Sequence, residues 1–374
     1  MALNFNDYFS YKKGLFNSKR SFMSSYVWGD NVTQFFYELG PETVLSAVES
    51  LGFKTTGRCL PLNSMENRVY EIEIDLPAEK IKSESERFLI AKFYRPGRWT
   101  KEQIQEEHQF LMDLEKAEIP AIAPLIFQEK TLFKVPGQEI FFTLFPKKGG
   151  RAPQDMSKEQ LQILGRLLAR VHTIGEQRPS KHRLKINTLT FGRQNLDYLL
   201  KENFIPEHLK ESFNTIFERI DKLVAPAFEK ETYHRIHGDC HWGNIIWRDQ
   251  EGPFFIDFDD MLCGPAIQDI WLIVPGEDEY ALKDREIFLE AYQSMRPLSR
   301  QSLKLIEPLR TLRYIHFAAW IAKRSKDPAF INAFPHFYEA NYWEELLQDL
   351  RLQYVKIQET FQNSFEDSFN SYLH

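Results

Sequence analysis

The stretch His237–Asp260, HGDCHWGNIIWRDQEGPFFIDFDD, decides how this chain is read. Two apolar runs, IIW and FFI, flank the turn-like segment RDQEGP, a pattern that predicts an antiparallel hairpin. With Trp247 facing Phe254, paired positions sum to a constant and Asn244 falls opposite Asp257. A carboxamide and a carboxylate then meet at the open end of the hairpin. Hard oxygen donors of this kind suit Mg²⁺, which keeps waters and takes phosphate oxygens. Asp239 lies in the loop ahead of the hairpin, five residues before Asn244, placed to accept a proton from an incoming hydroxyl. A proton acceptor beside two metal ligands is the division of labour that phosphoryl transfer needs. Asp259 and Asp260 are the second choice as ligands, and Asp269 reads as a helix cap or a brace for the loop.

A lysine in an apolar strand is the second signal. In FLIAKFY, Phe88, Ile90 and Lys92 share one face of a strand, and Leu89, Ala91 and Phe93 the other. An ammonium placed there is costly unless it is paired. A nucleotide phosphate and a carboxylate from the next helix, which carries Glu102, Glu106 and Glu107, would supply partners. The turn between the first two strands, LNSMENRVY, lacks a Gly-x-Gly-x-x-Gly pattern. Ser64 and Asn63 offer a hydroxyl, an amide and turn N–H groups to phosphate oxygens instead.

Around these motifs the chain divides in two. Residues 1–35 are polar and aromatic without a clear period, and read as an extension. Residues 36–146 carry short β-rich runs and two helices, one opening at Pro41 and one at the capping-box pair Thr100 and Gln103. KKGGR at 147–151 reads as a hinge or linker, after which Ser157 and Gln160 open a largely helical region, 147–374, with one β island at 244–258. The expected fold is therefore α+β and two-lobed, protein-kinase-like, with a small β-rich N-lobe and a larger helical C-lobe.

Composition sets the outer bounds. With 43% hydrophobic residues and 31 Phe among 374 positions, the chain can fill a large core. A net charge of −6 gives no electrostatic reason to expect nucleic acid or an anionic membrane as partner. Cys59, Cys240 and Cys263 are too few and too scattered for a disulfide framework or a zinc cluster, and Cys240 has no evident partner base. With no apolar run long enough to span a bilayer and no signal peptide, a cytoplasmic monomer is expected. Arg310, Arg313, Lys323 and Arg324 give one late helix a basic character, read by default as a solvated face and, more sharply, as a surface for an acidic or phosphorylated partner.

Four segments carry a resemblance to a known family: PLNSMENRVYE, AKFYRPGRWTKEQIQEEHQF, IHGDCHWGNIIWRD and IEPLRTLRYIHFAAW. They resemble the bacterial stress response kinase A family, within the aminoglycoside phosphotransferase and choline kinase superfamily. The match spans about residues 40–350. It implies a cytoplasmic serine/threonine protein kinase that uses ATP and Mg²⁺ and phosphorylates itself and other proteins under stress. In that light Asp239 matches the proton acceptor, Asn244 and Asp257 the magnesium ligands, Lys92 the ATP-contacting lysine and Ser64 a position at the ATP phosphates. Of the three glutamates, the family's helix pattern singles out Glu107, seven residues before Leu114. Trp242 stands where many superfamily members carry a smaller residue or proline. Gly264 follows Asp257 by only seven positions, too close for a long activation segment. Two rivals stand beside this reading. A small-molecule kinase acting on an amino alcohol, sugar or antibiotic would use the same scaffold. A catalytically silent ATP-binding module is disfavoured by the complete set Lys92, Asp239, Asn244 and Asp257.

Overall fold

The computed structural model describes residues 39–62, 64–77, 79, 81–248 and 251–371; the expected extension at 1–35 and the candidate Asn63 lie outside them. Helix α1 (Pro41–Glu49) opens on Pro41 and closes ahead of Gly52, whose φ of +94° suits glycine. A five-stranded antiparallel sheet follows, in the order β1 (Thr55–Leu62), β2 (Arg68–Ile74), β3 (Phe88–Phe93), β5 (Phe141–Pro146), β4 (Phe133–Lys134). On β3, Leu89, Ala91 and Phe93 are buried in the small-lobe core with Val44, Val48, Ile72 and Phe142. The opposite face therefore delivers Lys92 to the cleft side, between Val69 and Thr143 in register. Helix α2 (Lys101–Lys116) starts with the capping box expected of Thr100 and Gln103 and buries Ile104, Glu107, His108, Leu111 and Leu114 along one stripe.

The segment 147–151 is no free hinge. Arg151 pairs with Trp247 through both backbone groups (2.8 and 3.2 Å). At Gly150 a Cβ would lie 1.8 Å from the Ile246 side chain, so only glycine fits there. The hinge or linker between the lobes is thus stitched to the β island.

Beyond it the chain is mostly helical. Helix α3 (Lys158–Glu176), with its Ser157 capping box, packs on α7 (Glu279–Gln293). Between them in sequence come a wide turn of helix (Thr188–Arg193), α4 (Gln194–Lys201), α5 (Lys210–Glu229) and α6 (Ile267–Ile273). The chain continues through α8 (Arg300–Leu303), α9 (Ile306–Ala322), α10 (Pro328–Ala333) and α11 (Ala340–Ser371). Among the described residues no helix is long and apolar enough to cross a membrane.

The β content of this lobe exceeds the single island read from sequence. Besides the hairpin β7 (Ile245–Arg248) and β8 (Gly252–Phe255), a two-stranded ribbon joins β6 (His234–Ile236) to β9 (Leu262–Gly264). Three-residue strands carry no legible alternation, which is why sequence missed them. They matter because β6 leads directly into the segment beginning at His237. Arg235 on β6 is fixed to the end of α3 through the carbonyls of Ile174 and Gly175 and to Asp113 of α2 at 2.8 Å.

Two buried histidines are kept neutral by this packing. Burial, with His172 and Arg296 adding to it, holds His234 down at about 2. Burial, with Lys92 and Arg183 adding to it, holds His108 at about 3. Both would bind a proton near 6.5 in the unfolded chain, so only the unfolded state takes up protons as the pH falls from there towards about 3. Stability is expected to be full above about pH 6.5 and to fall steadily below it, which urea midpoints recorded from pH 7.5 down to pH 4 will read.

Candidate active site

The segment leading to Asp239 is held by backbone chemistry. Gly238 has φ +84°, and a Cβ there would come within 2.2 Å of the Asp260 carbonyl. The N–H groups of His237 and Gly238 both donate to the Asp269 carboxylate at 2.8 Å, and His172 reaches the same carboxylate at 3.1 Å. Gln268 donates to the Gly238 carbonyl at 3.0 Å. Asp269 on α6 thus braces the loop, one of the two roles read for it. His237 Nδ1 accepts from Asp239 N–H, and its Nε2–H donates to Ile256 O at 2.9 Å, tying the loop to the end of β8.

Asp239 projects from this frame with several partners. Arg313 on α9 reaches Oδ1 at 2.7 Å and His241 Nε2 stands 3.3 Å from Oδ2. The Asn244 side-chain amide donates to the Asp239 carbonyl at 2.9 Å. His241 stays within the loop, accepting from Gly243 N–H at 3.0 Å. Cys240 is buried, and burial pushes its thiol well up, so no nucleophile is made there.

The hairpin exists, but its register differs from the expected one. Trp247 pairs with Pro253 and Ile246 with Phe254, so each residue is shifted by one and Asn244 O accepts from Ile256 N–H at 3.0 Å. The expected register would have left a two-residue turn, Gln250–Glu251, in which a non-glycine must take positive φ. The observed pairing of Arg248 with Gly252 leaves three residues between them and puts the positive φ, +84°, on Gly252. Asp257 consequently stands one position past the residue paired with Asn244. It turns back by adopting φ +59°, ψ +62°, unusual for a residue with a side chain. From there its carboxylate, half exposed, lies 3.7 Å from Lys92 Nζ.

Lys92 is the junction of the site. Its ammonium, 6% exposed, meets Glu107 at 3.2 Å and Asp259 at 3.0 Å. Burial alone would pull it down, but the carboxylates of Asp259 and Glu107 outweigh burial and hold it well above the ordinary lysine range. The other two candidate glutamates go elsewhere. Glu106 accepts the backbone N–H groups of Lys181, His182 and Arg183, and Glu102 is exposed. Arg183 completes the cluster, donating to Glu107 at 3.0 Å and to the Asp259 carbonyl at 2.6 Å. Arg98 closes it from the other side, binding Asp259 and Asp260. Ser64 lies in the turn before β2, where its hydroxyl accepts from Asn67 N–H at 3.3 Å.

These contacts sort the candidate metal ligands. Asp259 and Asp260 are engaged by Lys92 and Arg98, whereas Asp257 is half exposed, with its nearest cation at 3.7 Å. Asn244, whose amide nitrogen is spent on Asp239, has its carbonyl oxygen as the donor for a cation. One carboxylate and one carboxamide fit an ion that takes its remaining ligands from water and phosphate, as Mg²⁺ does. No cluster of three or more His, Cys, Asp or Glu suited to a metal exists among the described residues.

Sequence reasoning missed Arg98, Arg183 and the direction of the basic helix. Arg310 and Arg324 are buried, and Arg313 points at Asp239, so the helix is no solvated face. An arginine's periodicity says whether it lies on a helix face, not which carboxylate awaits it. The Lys92 cluster yields a stability expectation. Lys92→Met removes one cation shared by three carboxylates, but Arg183 and Arg98 stay with Glu107 and Asp259. The loss should be measurable by thermal denaturation yet smaller than the about 3–5 kcal/mol of a buried pair broken outright.

With the geometry in place, comparison with known proteins is informative. A model of the phosphotransferase enzyme family matches residues 59–303. Stress response kinase A of Escherichia coli (strain K12) is 36% identical over 312 residues, covering 82% of this chain and 90% of that protein. The serine/threonine protein kinase RdoA of Salmonella typhimurium is 36% identical over 310 residues, covering 83% and 90%. Among solved structures, an amicoumacin kinase in complex with AMP-PNP and Ca²⁺ superposes with a TM-score of 0.61 at 20% identity, covering 81% of this chain and 92% of that one. A microcompartment-associated aminopropanol kinase does so with a TM-score of 0.55 at 17% identity, covering 81% and 98%. The two-lobed fold is shared with these kinases, and the chain is a phosphotransferase belonging to the phosphotransferase enzyme family, in its stress response kinase A branch.

Proposed function

We propose that this chain transfers the γ-phosphoryl group of ATP to serine or threonine hydroxyls of protein substrates, itself included, in a cytoplasmic stress response. The observation that carries the reading is the meeting of Lys92 with Asp257 and of Asn244 with Asp239, on segments tied together by the bond from Ile256 N–H to Asn244 O. Lys92 and Asp257 are 3.7 Å apart, and Asn244 hydrogen-bonds the residue that would orient the acceptor. In this reading Lys92 and Ser64 attend the phosphates, and Glu107 holds Lys92. Asn244 and Asp257 hold Mg²⁺, which when bound neutralises charge developing on the transferred group. Asp239, fixed by the braced loop, accepts the hydrogen bond of the attacking hydroxyl.

Two further features favour a protein acceptor. The relatives that are 36% identical bear the names stress response kinase A and serine/threonine protein kinase. On the acceptor side, α9 brings Arg313 rather than a carboxylate against Asp239, an arrangement unfavourable to a cationic amino alcohol or aminoglycoside. The amicoumacin and aminopropanol kinases that share the fold keep a small-molecule acceptor as the competing reading. The residues after Asp257 form one turn and enter β9 at Leu262, which leaves no room for a long regulatory segment.

Incubation with Mg²⁺ and labelled ATP tests both readings. Label on the protein without added metabolite is the expected result. Asp239→Ala should lower the rate by about 10²–10⁴-fold while nucleotide binding stays measurable. Full transfer by that variant would defeat the assignment. Label that appears only on an added amino alcohol or sugar would move the chain to the competing reading.

A further inference from the structure

The turn between β1 and β2 has no glycines with which to wrap a phosphate, yet it is held firmly from two directions. Within the small lobe, Arg95 just past β3 donates to the carbonyls of Met65 and Glu66, both at 2.9 Å. Its own N–H donates to the Asn67 side chain at 3.1 Å. The second hold crosses to the large lobe. The Glu66 carboxylate accepts from Trp320 Nε1 at 2.9 Å and from Arg324 at 2.8 Å, partners 254 and 258 positions further along the chain. Trp320 lies in the last turn of α9 and Arg324 just beyond it. Arg95 and Arg98 complete the cluster around Glu66, at 2.8 and 3.7 Å. Asp327, ahead of α10, faces Arg95 at 3.8 Å.

Burial would raise the Glu66 carboxyl, but Arg324, Arg98 and Arg95 overrule it and hold the group down at about 2. A carboxylate so held is costly to leave buried without its partners. Arg95 and Arg98 belong to the small lobe and stay with Glu66 wherever the turn stands, whereas Trp320 and Arg324 meet it only when the turn lies against the end of α9. Glu66 is two residues from Ser64, so its docking sets where that hydroxyl and the neighbouring turn N–H groups stand over the cleft.

We propose that Glu66 is a positioning residue that fastens the nucleotide-covering turn to the end of α9, so that ATP is enclosed when Glu66 docks on Trp320 and Arg324. This rests on the reading of the Ser64 turn as the one that covers the phosphates. In a glycine-free turn the side-chain anchor does what backbone freedom does elsewhere. The anchor also makes closure of the cleft a property of both lobes.

The test uses the full chain with Mg²⁺ and AMP-PNP as probe. Wild type, Glu66→Gln and Trp320→Phe are compared by calorimetric binding and by hydrogen–deuterium exchange of residues 64–70. Glu66→Gln keeps the shape and loses the charge, and Trp320→Phe removes the N–H donor to Glu66 and part of the ring that packs on Phe317, Phe330 and Arg324 while keeping every charged group of the cluster. The expected result is faster exchange of the turn without change across β2 and β3, and affinity reduced by about tenfold in Glu66→Gln. Trp320→Phe should shift both in the same direction by less. Unchanged turn exchange in both variants overturns the proposal, as does exchange raised throughout the small lobe at unaltered affinity, the mark of a merely structural contact. If Glu66→Gln does not fold, Trp320→Phe alone decides. A wild-type chain that does not bind the probe overturns the phosphotransferase reading and the nucleotide half of this proposal, while the exchange of the turn still reports whether it is fastened.

Discussion

One buried ammonium governs the arrangement of the two lobes. Lys92 comes from the sheet, Glu107 from the helix behind it, and Asp257 and Asp259 from the far side of the cleft. Lys92, Glu107 and Asp259 are buried, and each pays a desolvation penalty that a single partner does not return, whereas Asp257 stays half exposed. Together with Arg183 and Arg98 they form a lattice in which charges of opposite sign alternate. The lattice demands that β3, α2 and the segment after β8 arrive at one point. Most of the surrounding architecture can be understood as the means of bringing them there: the core face of β3, the buried stripe of α2 and the anchoring of Phe258 against Phe110.

Much of this was legible in the sequence because it rests on local rules. Alternation along Phe88–Phe93 set Lys92 on the face opposite Leu89, Ala91 and Phe93, which prove to be the core face, and two capping boxes marked the starts of α2 and α3. The spacing of Asp239, Asn244 and Asp257 was enough to bring them to one end of a hairpin. The family's helix pattern chose Glu107, and the structure gives the physical ground for it: Glu106 is consumed by three backbone N–H groups and Glu102 faces solvent.

What stayed hidden depended on single residues with long reach. The hairpin register turned on whether Gly252 or a non-glycine would take the positive φ, a choice that apolar patterning does not encode. The ribbon β6–β9 was too short to show a period. The basic residues of α9 were visible, but their destinations, Asp239 for Arg313 and Glu66 for Arg324, lie 74 and 258 positions away. Segment 147–151 looked mobile by composition, and its glycine proved to be required by a close approach to Ile246 rather than by freedom of movement.

The bracing of the Asp239 loop has an evolutionary corollary. Its hydrogen bonds run to Asp269 and Gln268 on α6, to Ile256 at the end of β8 and, through Asp269, to His172 on α3. Helix α9 supplies Arg313 to the carboxylate itself. The frame of the loop and the cation that meets its carboxylate thus come from separate parts of the large lobe. Positions of α9 other than Arg313 and Trp320 can therefore vary, within the limits of packing, without disturbing the frame that carries Asp239.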